Sequence, residues 1–203
     1  MPEKLNALEC SALEYALSCA ADASHGKGHL LRVLLSAGRL AAAYPRADES
    51  ALRLACLLHD CAQAEQLADP SVHHASAGAD KAAAWLKAQG AGEATVEKVR
   101  RAIDAHSSRE AASGAGIEAQ LLFDADKLDM CGAVGISRAL MYALDKEEEL
   151  YEEEGESLYS VHEADREFVE KNLFTPEARK IAKDRLLLSR TFLEALKKEC
   201  EGI

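Results

Sequence analysis

Six polar side chains fall where the sequence pattern asks for apolar ones: His29, His59, Asp60, His74, His106 and Asp126. The clearest case is the stretch Leu52-Arg53-Leu54-Ala55-Cys56-Leu57-Leu58-His59-Asp60, which reads as one helix. Leu52, Cys56 and His59 are spaced i, i+4 and i+7, one buried stripe, with Asp60 on its flank. His29 shares a face with Val33 and Leu40, and His74 one with Gly78, Ala82 and Trp85. His106 continues the stripe of Val96, Val99 and Ile103, and Asp126 lies between Leu122 and Met130. A carboxylate on an apolar face must be protonated, paired or bound to a cation, because burying it alone is very costly. A core histidine beside a helix-end aspartate would explain one His-Asp pair. Intrusions on five predicted helices point to one shared cause. Imidazole nitrogens combined with carboxylates suit a divalent first-row ion such as Mn, Fe, Co or Zn.

The other histidines fit the pattern less well. His25 precedes its helix, and His73 lies one residue off the stripe of Gly78 and Trp85. His162 falls in an acidic stretch. All three read as surface residues or supports for the ligands. The six cysteines form no C-x-x-C pair and occupy alanine-like helical contexts, which is the usage of reduced thiols in a cytoplasmic protein. Cys61 directly follows Asp60, yet an ion held by His and Asp needs no thiol.

Helices must position these groups. The chain of 203 residues is 48% hydrophobic and 29% charged, which suits one domain with a substantial core. Alanine and leucine dominate over β-branched and aromatic residues, favouring helix throughout. The periodicity predicts helices over 5–22, 29–44 and the segment behind Asp48, an N-cap. A polar loop is expected over 63–72, then helices over 73–90 and 93–106, a loop over 111–116, and helices from Ile117 and over 136–144. The run from 145 to 170, with Glu147-Glu148-Glu149 and Glu152-Glu153-Glu154, reads as an acidic lobe, a solvated helical face or a mobile loop. Thr175-Pro176 starts a last helix reaching about Lys198. The expected architecture is all-α, a single helical bundle over 1–203 with its core at about 20–145 and the acidic lobe and last helix at 146–200.

The formal charge of −11 argues against nucleic acid polymers and anionic membranes as partners. The start Met1-Pro2-Glu3-Lys4 leads into an amphipathic helix, and no apolar segment reaches spanning length, so a cytoplasmic location is expected. An anionic substrate would need a local positive centre, from a metal or a few Lys and Arg.

In their order and spacing these motifs resemble the HD-domain metal-dependent phosphohydrolases. The matching stretches are Ser24-His25-Gly26-Lys27-Gly28-His29, Leu57-Leu58-His59-Asp60, His74 with Gly78, His106-Ser107 and Asp124-Ala125-Asp126-Lys127-Leu128-Asp129. The run Gly132 to Arg138 strengthens the likeness, and Thr175 to Leu196 is similar to the last helix of the small bacterial nucleotide-pyrophosphohydrolase-like branch. The resemblance implies that His29, His59, Asp60 and Asp126 hold one divalent ion (Mn, Fe, Co, Mg or Zn). His74 and His106 would hold a second ion bridged by Asp60, or line the substrate site. Relatives commonly carry Asp where this chain has Gly26.

The implied reaction is hydrolysis of a nucleotide or another small phosphate ester by metal-activated water, with Asp60 at the catalytic centre. Lys127 and Arg32 stand beside the implied ligands and can contact phosphate oxygens; a salt bridge is the alternative for each. Asp129 reads as support for a ligand or as a helix-face acid, and Ser107 and Ser108 as pocket lining or helix end. Two other functions fit the same residues: a di-iron oxygenase, and a metal-bound module that senses a nucleotide without turning it over. Oligomeric state does not follow from the sequence.

Overall fold

The computed structural model describes residues 4–19 and 25–203 and divides into two compact units, 1–125 and 126–203. The fold is all-α, and no strand occurs among the described residues.

In the first unit α1 (Ala7–Ser18) opens with a capping box: Asn6 Oδ1 accepts from Glu9 N–H while Glu9 Oε2 accepts from Asn6 N–H. The expected continuation of this helix to residue 22, and Ser24 of the following turn, lie outside the described residues. Next come α2 (Lys27–Ala41), α3 (Glu49–Leu58), α4 (Gln63–Ala68), α5 (His74–Ala88), α6 (Glu93–Ala105) and α7 (Arg109–Gly114). The division falls within α8 (Ile117–Lys127).

Helix α3 is the hub of this unit. It packs on α1, α2 and α6, and Leu52, Leu54, Ala55, Cys56, Leu57 and Leu58 are all buried. Its last five residues, 54–58, are apolar and buried all round, so this end of the helix must sit inside. Its start is fixed by Asp48, which accepts from Ala51 N–H at 3.1 Å and from Lys98 Nζ at 2.7 Å. Along α5, Gly78, Ala79 and Ala82 form a small-residue face. A Cβ at Gly78 would stand 3.2 Å from the His59 carbonyl oxygen, so glycine lets α5 pass close to the site. Tyr15 of α1 stacks on Trp85 of α5, with ring centroids 5.2 Å apart.

Two expected loops are helical: 63–68 forms α4 and 109–114 forms α7. Both helices have six residues, too few for periodicity to show. The helix expected to run through Asp60 stops at Leu58, and His59 is its C-cap.

The second unit holds a 3₁₀ turn (Leu128–Met130), α9 (Gly132–Asp145), α10 (Leu158–Asn172) and α11 (Pro176–Cys200), with α9, α10 and α11 packed together. Thr175 caps α11 as expected, its hydroxyl accepting from Ala178 N–H with Pro176 in the first turn. The elbow into α9 depends on two glycines. Gly132 has φ +73 and donates its N–H to Ser189 Oγ at 2.8 Å. A Cβ at Gly135 would overlap the Met130 carbonyl. The acidic run is only partly helical: no helix forms between Lys146 and Ser157, and α10 follows. His162, read as a surface residue or a support for the ligands, is fully buried, with Nε2 3.0 Å from Ser189 Oγ. Leu158, His162, Arg166 and Val169 make one buried stripe of α10, which the surrounding glutamates obscure in the sequence.

Candidate metal centre

Helix ends build the centre. His29 is the third residue of α2, 1% exposed. His59 caps α3, completely buried, with helical φ −61 and ψ −33, so it keeps the stripe of Leu52 and Cys56 past the last helical residue. Asp60 follows directly. His106 caps α6 in the same way, 2% exposed. His74 opens α5.

These residues converge. His29 Nε2 and His59 Nε2 lie 3.2 Å apart, and Asp60 Oδ2 is 3.3 Å from each. Asp60 Oδ1 is 3.9 Å from His106 Nε2. The ring centroids follow a series: His29 to His59 5.2 Å, His59 to His106 5.1 Å, His106 to His74 5.2 Å.

Hydrogen bonds on the far side of each ring set what the near side offers. His59 Nδ1 faces the Cys56 carbonyl at 2.9 Å, and His106 Nδ1 faces the Ile103 carbonyl at 2.6 Å. A carbonyl only accepts, so each Nδ1 carries the proton and each Nε2 presents a lone pair. Two lone pairs and a carboxylate thus share one buried space. Donor atoms cis around an ion at about 2.0–2.2 Å stand roughly 3.0–3.5 Å apart. The separations of 3.2 and 3.3 Å match that spacing. His59, Asp60 and His106 form a group able to hold a metal ion.

The remaining residues fall into place individually. Arg32, one turn after His29, is half-buried and runs back along α2, its guanidinium 3.0 Å from where a Cβ on Gly28 would be. His25 is half-buried and meets the His29 ring edge-on at 6.0 Å. His73 is exposed and caps α5 through Ser76 N–H, as a surface residue would. The Cys61 thiol is buried, donates to the Gly78 carbonyl at 3.4 Å, and is pushed up to about 12 by burial. It is no thiolate. Ser108 caps α7.

Asp126 and Lys127 belong to the second unit, with Lys127 Nζ 2.7 Å from Asp126 Oδ2. Asp129 is buried and faces Arg138 at 3.4 Å, a support for that guanidinium. Burial pushes the Asp165 carboxyl up to about 6 against the pull of Arg138 and Lys127. One residue of the centre escaped the sequence: Gln66 of α4, whose Oε1 faces His74 Nδ1. It sits in a stretch that reads as loop, so nothing flagged it.

Comparison with known proteins adds a family and a fold. A profile of the HD domain matches residues 27–131. A Lactobacillus plantarum protein of known structure shares 25% identity, with a TM-score of 0.76 over 98% of this chain and 100% of that one. Bacillus subtilis YpgQ, solved in complex with ADP, shares 26% identity, with a TM-score of 0.75 over 94% of this chain and 97% of that one. A predicted HD superfamily hydrolase from an uncultured Thermotogales bacterium shares 25% identity, with a TM-score of 0.65 over 95% of this chain and 91% of that one. No curated protein matches the sequence.

Proposed function

Because the chain belongs to the HD-domain family, we propose that it is a metal-dependent phosphohydrolase acting on a nucleotide or another small phosphate ester. The observation that carries this reading is the convergence of His29, His59, Asp60 and His106, with lone pairs of His59 and His106 turned toward the Asp60 carboxylate. A divalent ion (Mn, Fe, Co, Mg or Zn) would supply a polarised phosphoryl oxygen and a water of lowered pKa.

The chain's own residues hold and orient the reactants. His29, His59 and Asp60 are the proposed ligands, and the family match, which runs through residue 131, supports Asp126 as the fourth. Asp60 is the catalytic carboxylate. His74 and His106 stand beside the substrate phosphate or hold a weaker second ion. Arg32 and Lys127 neutralise phosphate oxygens, which an acidic protein of charge −11 must do locally. Lys127 must then exchange its partner Asp126 for substrate. The ADP bound by YpgQ favours a nucleotide over other esters. Residues 1–203 would act as one HD-type domain in the cytoplasm; no helix among the described residues is long and apolar enough to cross a membrane.

The test is a panel of nucleotides and simple phosphate esters, with Mn, Mg, Co and Fe added separately. Metal-dependent release of phosphate or pyrophosphate is expected. Bound metal and bound nucleotide without release from any substrate would overturn the reading in favour of a sensor. Redox-active iron with oxygen consumption would overturn it in favour of an oxygenase.

A further inference from the structure

His59 and His106 are oriented by carbonyls of their own helices, three residues back. No substitution can remove those anchors. His74 differs, because the group facing its Nδ1 is the side chain of Gln66. We propose that Gln66 is a positioning residue: its Oε1 takes the His74 Nδ1 proton and so turns the Nε2 lone pair toward the centre. This rests on the metal-dependent reading given above and deepens it, since it settles what His74 can do. With a lone pair on Nε2, His74 serves a cation. With a proton there, it would serve a phosphate oxygen.

The setting of Gln66 supports the assignment. Helix α4 buries none of its residues, so no apolar core explains its place. Polar contacts hold it on α5: Glu65 pairs with Lys81 at 2.7 Å, and Gln66 reaches His74 at the start of that helix. The His74 ring meets the His106 ring nearly at a right angle, 5.2 Å between centroids, continuing the series that begins at His29. A six-residue surface helix thus sets the orientation of one imidazole.

The tautomer is measurable in the metal-free protein by long-range proton–nitrogen correlation of the histidine rings at pH 8. His74 should carry its proton on Nδ1 in the wild type and in Gln66→Glu, whose side chain only accepts. Gln66→Leu should lose that preference, while His59 and His106 keep theirs and report an intact fold. The Mn²⁺ concentration giving half-maximal activity should rise roughly ten- to a hundredfold in Gln66→Leu and stay within about threefold of wild type in Gln66→Glu. A proton on Nε2 of His74 in the wild type, or an unchanged tautomer in Gln66→Leu, would overturn the assignment. The ring measurement needs neither metal nor turnover. Absence of hydrolysis with the predicted tautomers in place would therefore count against the phosphohydrolase and not against Gln66.

Discussion

At the scale of single residues, the far side of a ring decides the chemistry of its near side. His59 and His106 each spend their proton on a backbone carbonyl, which leaves basic nitrogens turned toward the Asp60 carboxylate. Cys61 stands next to Asp60 in sequence but points its thiol at Gly78. Burial pushes it up to about 12 and keeps the thiol protonated at neutral pH. Cys61→Ser should therefore retain most metal-dependent activity, because serine can donate to the same carbonyl. A loss of several orders of magnitude, with metal content and helicity unchanged, would contradict this. His162 allows a second test. Burial pushes its pKa down from 6.5 to about 4. The unfolded chain therefore takes up this proton at a pH where the folded chain does not. The stability from neutral His162 is complete above 6.5 and is lost as pH falls from 6.5 toward 4. Melting curves across that window should fall more steeply for the wild type than for His162→Gln, and parallel curves would refute the effect.

At the scale of elements, long helices were legible and short ones were not. The stripes through Leu52–His59 and Val96–His106 predicted both the helices and their inward histidines, because a buried face repeats over about two to three turns. The N-caps Asp48 and Thr175 were legible because a capping oxygen has a local signature. Helices α4 and α7 have no such repeat, and with α4 went Gln66. His162 shows the opposite error: the stripe was present, and acidic composition masked it. Two glycines shape the elbow into α9 after Asp126. Gly135 is the close approach, against the Met130 carbonyl, and a methyl there requires the elbow to move. Gly135→Ala should cost about 1–3 kcal/mol or more in unfolding free energy, read by denaturant titration, while Gly38→Ala, whose Cβ meets nothing, should not destabilise. Equal stability of the two variants would refute the role of Gly135.

At the scale of the whole chain, charge and family matter more than any one contact. A protein of charge −11 repels phosphate except where a cation is concentrated. The proposed ligands His29, His59 and Asp60 come from segments far apart in sequence that meet only on folding, so an ion that binds them binds the folded chain. Free metal at a hundredfold excess over its dissociation constant should add about 2.7 kcal/mol to stability. For a chain of this size that corresponds to roughly 5–10 °C in melting temperature. Chelator should reverse the shift, and a melting temperature indifferent to every metal tried would count against a resident ion.

Metal content tests the central claim most directly. Elemental analysis of the purified protein should find about one tightly held divalent ion per chain. His59→Ala, Asp60→Ala and Asp126→Ala should each remove that ion and lower turnover by roughly a hundredfold or more, since disturbing even a ligand's outer partner costs 10–100-fold. Circular dichroism should remain helical in all three. Any of them keeping stoichiometric metal and wild-type turnover would contradict the account.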